Sequence, residues 1–117
     1  MIGRLLAVAW VALGLASAEA QAHAFLDHAS PRVGSTVHGS PPEVRLWFTQ
    51  ELEPAFSTLS VQDASGKRVD KGDAKVTQDT IQVSLPSLVP GRYTVKWRAL
   101  SVDTHVTEGD FTFEVAP

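Results

Sequence analysis

Apolar and polar residues alternate along several short stretches beyond residue 23, with the period of two that a strand with one buried face requires. The clearest stretch places Val44, Leu46 and Phe48 on one face, with Arg45 and Trp47 between them. The same period recurs at Ile81, Val83 and Leu85; at Tyr93, Val95, Trp97 and Ala99; and at Phe111, Phe113 and Val115. Further strands are predicted over residues 24–29 and 58–62. Helical periodicity is sustained nowhere.

Turn-forming residues separate these stretches at short intervals. They fall at residues 30–31, 39–42, 64–67, 71–73 and 90–91, which are rich in Gly, Pro, Ser and Asp. Such residues favour tight turns between strands. Six or seven short strands with this spacing indicate an all-β fold, a Greek-key β-sandwich or barrel of the immunoglobulin-like kind. No repeat or linker interrupts the pattern, so we expect one domain over residues 23–117.

The first 22 residues have the pattern of a cleaved signal peptide. Arg4 gives a basic start, residues 5–15 form an apolar run, and Ala20-Gln21-Ala22 is the small-residue pattern that a signal peptidase accepts. The run is shorter than the roughly 20 residues that span a bilayer. We therefore expect an exported mature chain that begins at His23 and does not insert into the membrane.

The composition excludes several classes of partner and ligand. Ten basic and 13 acidic residues give a net charge of −3, with no basic patch for nucleic acid or an anionic membrane. Cysteine is absent, and the single methionine is Met1, within the predicted signal. The predicted mature chain therefore contains no sulfur, which excludes the soft thiolate or thioether sites that select Cu(I).

Two features supply nitrogen and oxygen donors for a metal ion. An amino-terminal His23 offers its α-amine and its ring Nδ1, which can close a chelate ring on one ion. In Asp103-Thr104-His105, the carboxylate and the imidazole are two residues apart, which places them on one side of an extended backbone. This donor set suits Cu(II) in a planar or tetragonal arrangement, and Zn(II) is expected to bind more weakly. The predicted metal ligands are His23, Asp103 and His105.

The other histidines are weaker candidates. His28 lies an odd number of positions from His23 in a predicted strand, so its side chain is expected to face away, as a surface or edge histidine. Asp27 beside it offers at most a second surface site of low affinity. His38 falls in a Thr-Val-His-Gly-Ser stretch that is predicted to be a solvated loop.

With these residues in view, the chain resembles the CopC family of periplasmic copper-binding proteins over nearly all of residues 23–117. The matching segments are His-Ala-Phe-Leu at 23–26, the turn at 30–34 and Val-Arg-Leu-Trp-Phe at 44–48. The most specific match is Gly-Arg-Tyr-Thr-Val-Lys-Trp-Arg at 91–98, followed by Ser101, the Asp-Thr-His sequence at 103–105, Gly109, Phe111 and Phe113.

The resemblance implies a cupredoxin-like β-barrel that binds one Cu(II) through the amine and ring of the first His and through the Asp-x-His pair. These positions are His23, Asp103 and His105 here. Some relatives hold Cu(I) in a methionine-rich loop, but residues 62–75 contain neither Met nor His, so that site is expected to be missing. Some relatives place a Glu near copper after the second strand. Here Gln50 occupies that position and Glu51 follows, and neither is included among the expected ligands.

The expected function is that of a periplasmic Cu(II) carrier or buffer in copper resistance or homeostasis, not an enzyme. The resemblance also implies an inner-membrane partner of the CopD type. Two alternatives stay open. One is a small copper-dependent oxidative enzyme, because copper polysaccharide monooxygenases also use an amino-terminal His, although a chain this short leaves no room for their flat aromatic face. The other is a metal-free immunoglobulin-like structural domain.

Overall fold

A computed structural model of the chain describes residues 25–117. Eight strands and one 3-10 turn follow one another in this range: β1 (Leu26–Ser30), β2 (Thr36–His38), β3 (Glu43–Phe48), the 3-10 turn (Pro54–Phe56), β4 (Thr58–Gln62), β5 (Lys75–Thr77), β6 (Thr80–Ser84), β7 (Gly91–Leu100) and β8 (Val106–Ala116). Between residues 25 and 117, no helix is long and apolar enough to cross a membrane.

The strands form two four-stranded sheets. One sheet has the order β1-β3-β6-β5, and the other has the order β2-β8-β7-β4. The pairs are antiparallel except for β2, which runs parallel to β8. Most connections pass from one sheet to the other, as in Greek-key sandwiches. The predicted all-β sandwich is therefore confirmed.

The core lies between the inner faces of the two sheets. The alternation read from the sequence matches the burial of the side chains, because Val44, Leu46 and Phe48 are buried while Arg45 and Trp47 face outward. Among the described residues, the other large, fully enclosed apolar side chains are Leu59, Val61, Ile81, Val83, Val95 and Phe113. Burial of each such side chain contributes about 1.5–3 kcal/mol. No disulfide cross-links the sandwich, since the chain has no cysteine.

Two short strands were missed, and one histidine was assigned to the wrong element. His38 is the last residue of β2, not a loop residue, because Thr36–His38 pairs with Glu114, Val115 and Ala116 of β8. Strands β5 and β6 form a hairpin with a two-residue turn, and Gln78 in this turn has a φ of 55°. Three-residue strands are too short to show periodicity. Strand β2 forms by pairing with the distant β8, and β5 forms by pairing with its neighbour β6.

Strand β1 begins later than expected. It covers Leu26–Ser30, and the earlier part of the predicted strand, including Ala24, lies outside the described residues. The pairing of β1 with β3 shifts between Leu26 and His28, which is the mark of a β-bulge. As a result, Asp27 and His28 are both exposed, whereas Ala29 is buried.

Candidate metal centre

The hairpin between β7 and β8 carries Asp103 and His105 at one end of the sandwich. Residues 49–53, which follow β3, lie against this hairpin. The main-chain N–H of Val102 donates to the carbonyl of Glu51 at 3.0 Å, and that of Glu53 donates to Leu100 at 2.8 Å. Leu52 and Ser101 form an isolated antiparallel bridge between them. The loop after β3 and the hairpin therefore form one surface.

The hairpin turn is tight and brings the two predicted ligands together. The N–H of Ser101 donates to the carbonyl of His105, and the N–H of Thr104 donates to the carbonyl of Ser101, both at 2.9 Å. Thr104 has a φ of 75°, in the left-handed region. Asp103 and His105 meet because of this turn, and not because of an extended backbone between them as the spacing argument assumed.

Asp103 and His105 are in direct contact. Nδ1 of His105 lies 3.2 Å from Oδ1 of Asp103. About three-quarters of the His105 side chain and about half of the Asp103 side chain are exposed, at 77% and 48%. Both groups are therefore open to an ion arriving from solvent.

Ser101 holds the Asp103 carboxylate from the protein side. The Ser101 side chain is buried, and its hydroxyl donates to Oδ1 of Asp103. The same Oγ accepts the main-chain N–H of His105 at 3.1 Å. The Ser101 hydroxyl lowers the pKa of Asp103 below its ordinary value, and the contact with His105 adds to this effect against a smaller opposing effect of burial. The carboxylate is thus kept in the ionised form that binds metals.

Gln50 contacts both oxygens of the same carboxylate. With its amide nitrogen toward Asp103, it donates to Oδ1 at 2.9 Å and to Oδ2 at 3.0 Å. Its neighbour Glu51 takes part through its main-chain carbonyl. Sequence reasoning left both residues out of the ligand set, although the resemblance had pointed to the position of Gln50 as one that lies near copper in some relatives.

The paired donors fit a metal ion of the predicted kind. Bonds of about 2.1 Å from nitrogen and oxygen to one ion, at right angles, separate the two donor atoms by about 3 Å. The observed separation of 3.2 Å between Nδ1 of His105 and Oδ1 of Asp103 is close to that value. An imidazole and a carboxylate are also among the ligands that suit Cu(II).

No larger cluster of ligands occurs in the part of the chain that the structure describes. Within residues 25–117, no group of three or more His, Cys, Asp or Glu side chains is placed to hold an ion. The third predicted ligand, His23, lies outside the described residues. A complete site needs donors beyond Asp103 and His105.

The remaining histidine candidate lies on the outer face of the first sheet. His28 stacks on Trp47 with 4.3 Å between ring centroids, and its Nδ1 is 2.6 Å from Oδ2 of Asp27. The prediction that His28 is a surface histidine is confirmed. It belongs to a stacked pair on the sheet and not to the centre at the hairpin.

The fold is that of a β-sandwich protein whose β7–β8 hairpin exposes an imidazole and a carboxylate. The CopC domain profile matches residues 26–116. The chain belongs to the CopC family. Proteins of this family are copper-binding carriers and not enzymes, so the alternatives of an oxidative enzyme and of a metal-free domain are set aside.

Individual relatives agree with this assignment. The chain is 34% identical to protein YobA of Escherichia coli K12 over 113 residues, covering 93% of this chain and 91% of YobA. It is 35% identical to copper resistance protein C of Xanthomonas campestris pv. juglandis over 117 residues, covering 92% and 91%. The crystal structure of CopC from Methylosinus trichosporium OB3b superposes with a TM-score of 0.75 at 41% identity, covering 81% of this chain and 95% of that one.

Proposed function

We propose that this protein is a periplasmic Cu(II) carrier or buffer that serves copper resistance or homeostasis. One Cu(II) per chain is bound by the α-amine and ring of His23, by the carboxylate of Asp103 and by the imidazole of His105. The observation that carries the proposal is the contact between Asp103 and His105, whose donor atoms lie 3.2 Å apart on an exposed hairpin. Residues 1–22 act as the cleaved signal peptide that exposes the amine of His23.

The start of the described chain supports the participation of His23. The carbonyl of Phe25 accepts the N–H of Thr49 at 3.0 Å, which ties this part of the chain to the loop that contacts Asp103. His23 precedes Phe25 by two residues, and two residues reach at most about 7 Å. This short reach supports the proposal that His23 joins Asp103 and His105 in binding the ion.

The proposed site suits a carrier because the ion can enter and leave. Asp103 and His105 are exposed, so a partner can reach the bound ion without opening the sandwich. A carrier outside the inner membrane needs a membrane protein to move the ion further, and we propose a CopD-type copper transporter for this role. Copurification of the copper-loaded protein with such a transporter, and not of the metal-free protein, tests this partnership.

The decisive experiment changes the amino terminus. The processed protein that begins at His23 is compared with a form that carries one extra alanine before His23 and with a control that carries one after Pro117. Because the extra residue removes the amine from the chelate, we expect at least a tenfold loss of Cu(II) affinity in a competition titration, equivalent to about 1.4 kcal/mol. The control should bind normally. Equal affinities for all three forms would contradict the terminal-amine site.

A further inference from the structure

Gln50 contacts the Asp103 carboxylate through two hydrogen bonds from one amide. The distances from its nitrogen to Oδ1 and Oδ2 are 2.9 and 3.0 Å. The reverse orientation would set the amide oxygen against two carboxylate oxygens, which repel it. The amide nitrogen therefore faces Asp103, and Gln50 acts as a donor at this position.

The main chain on both sides of Gln50 is fixed. Thr49 donates its N–H to the carbonyl of Phe25 at 3.0 Å, and the carbonyl of Glu51 accepts the N–H of Val102 at 3.0 Å. Gln50 thus lies between the segment that leads to the amino terminus and the hairpin that carries Asp103. Its side chain is exposed, but its backbone is not free to move away from the carboxylate.

We propose that Gln50 is a positioning residue of the metal centre, which orients Asp103 and leaves the centre with a single carboxylate. This inference rests on the proposed Cu(II) function. Hydrogen-bonding partners of ligands fix the geometry of metal centres, and their removal typically costs 10- to 100-fold in metal affinity. The Ser101 hydroxyl contacts Oδ1 and the Gln50 amide contacts both oxygens, so the carboxylate loses less orientational freedom when the ion binds.

The absence of charge on the Gln50 side chain is part of this positioning role. A glutamate of nearly the same shape would accept hydrogen bonds instead of donating them, and it would place a second negative charge about 3 Å from Asp103. In the metal-free protein the two carboxylates would repel each other. With Gln50, the proposed set of one amine, two imidazoles and one carboxylate leaves bound Cu(II) with a net charge of +1.

The first test uses the exported, metal-free protein. The side-chain amide protons of Gln50 are assigned by nuclear magnetic resonance and compared with those of Gln82, which lies on β6 away from the hairpin. Replacement of Asp103 by Asn should move the Gln50 amide signals and leave those of Gln82 in place. Unmoved Gln50 signals would overturn the contact, whatever copper does.

The second test uses Cu(II) and three variants, Gln50→Ala, Gln50→Glu and the matched control Gln82→Ala. We expect Gln50→Ala to lose 10- to 100-fold in Cu(II) affinity and to change the electron paramagnetic resonance spectrum, and Gln50→Glu to give a spectrum different from that of the natural protein. Gln82→Ala should match the natural protein in both measurements. If Gln50→Ala binds Cu(II) with natural affinity and spectrum, Gln50 has no positioning role. If the natural protein does not bind Cu(II), the proposed function fails, while the amide signals still test the contact.

Discussion

At the scale of single residues, Thr104 is the most strained position of the hairpin. Its φ of 75° lies in a region that glycine adopts freely and that a β-branched residue enters only at a cost of about 1–3 kcal/mol. The hairpin imposes this conformation, because the Thr104 N–H closes the turn on the Ser101 carbonyl. The strain is located between the two predicted ligands, Asp103 and His105.

Replacement of Thr104 by Gly should stabilise the metal-free protein. Relief of strain exceeds the flexibility that glycine adds to the unfolded chain, about 0.5–1 kcal/mol, so we expect a net gain of about 1 kcal/mol in urea denaturation. The control is Thr112→Gly in β8, where the backbone is extended and glycine should lower stability by about the same amount. A Thr104→Gly protein less stable than the natural one would show that the turn is not strained.

At the scale of elements, the connection between β4 and β5 is organised around one buried carboxylate. Asp70 accepts the N–H of Val61 and the N–H of Gly72 and binds Nε of Arg68, each at 2.8 Å. Its side chain is fully shielded from solvent. Burial acts to raise the pKa of Asp70, but the hydrogen bonds from Arg68, Val61 and Gly72 together outweigh it, so the pKa lies below its usual value. This connection is a structural element of the fold.

The Asp70 network should make stability depend on pH. Because the folded protein binds the ionised form, the network stabilises above the ordinary carboxyl pKa of about 3.8 and loses its effect as pH falls through the lowered folded value. We expect Asp70→Asn to lower the free energy of unfolding by about 2 kcal/mol at pH 7. The difference from the natural protein should shrink below about pH 4. Asp110→Asn, on the exposed side of β8, is the control; a deficit for Asp70→Asn that stays constant down to pH 2 would exclude this linkage.

Elements that are determined by local sequence could be predicted, and elements that are determined by contacts between distant residues could not. Burial of one face imposes the alternation at Val44, Leu46 and Phe48, so the long strands could be predicted. Pairing between distant segments determines β2, and no local signal marks it. Asp103 and His105 were identified as a pair from their chemistry and spacing, but the turn that joins them and the contact with Gln50 are tertiary features.

At the scale of the whole molecule, the proposed centre lies at one end of a sandwich that carries a net negative charge and no sulfur beyond Met1. The core between the sheets is apolar, and the predicted ligands within residues 25–117 lie on an exposed hairpin. The described part of the molecule therefore presents nitrogen and oxygen donors to solvent outside the apolar core. Such donors favour Cu(II) over Cu(I).

Reduction should release the bound copper. Ascorbate together with a Cu(I)-specific chelator is expected to remove the metal from the loaded protein, because residues 23–117, the proposed mature chain, contain neither Cys nor Met to retain Cu(I). The same chelator without reductant should leave the metal in place. The absorbance of the chelator complex measures both outcomes. Retention of Cu(I) against the chelator would reveal a second site.

At the proposed site, a bound ion would also cross-link the chain and so affect its unfolding. An ion that joins residue 23 to residues 103 and 105 closes a loop on the order of 80 residues, as a reversible cross-link would, and such loops restrict the unfolded chain by about 3–5 kcal/mol. Phe25, two residues after His23 in the chain, is held to Thr49 by a main-chain hydrogen bond. Copper-loaded molecules should then be digested by aminopeptidases and unfold more slowly than metal-free ones. The lifetime of the carrier in the cell would therefore depend on whether it holds copper.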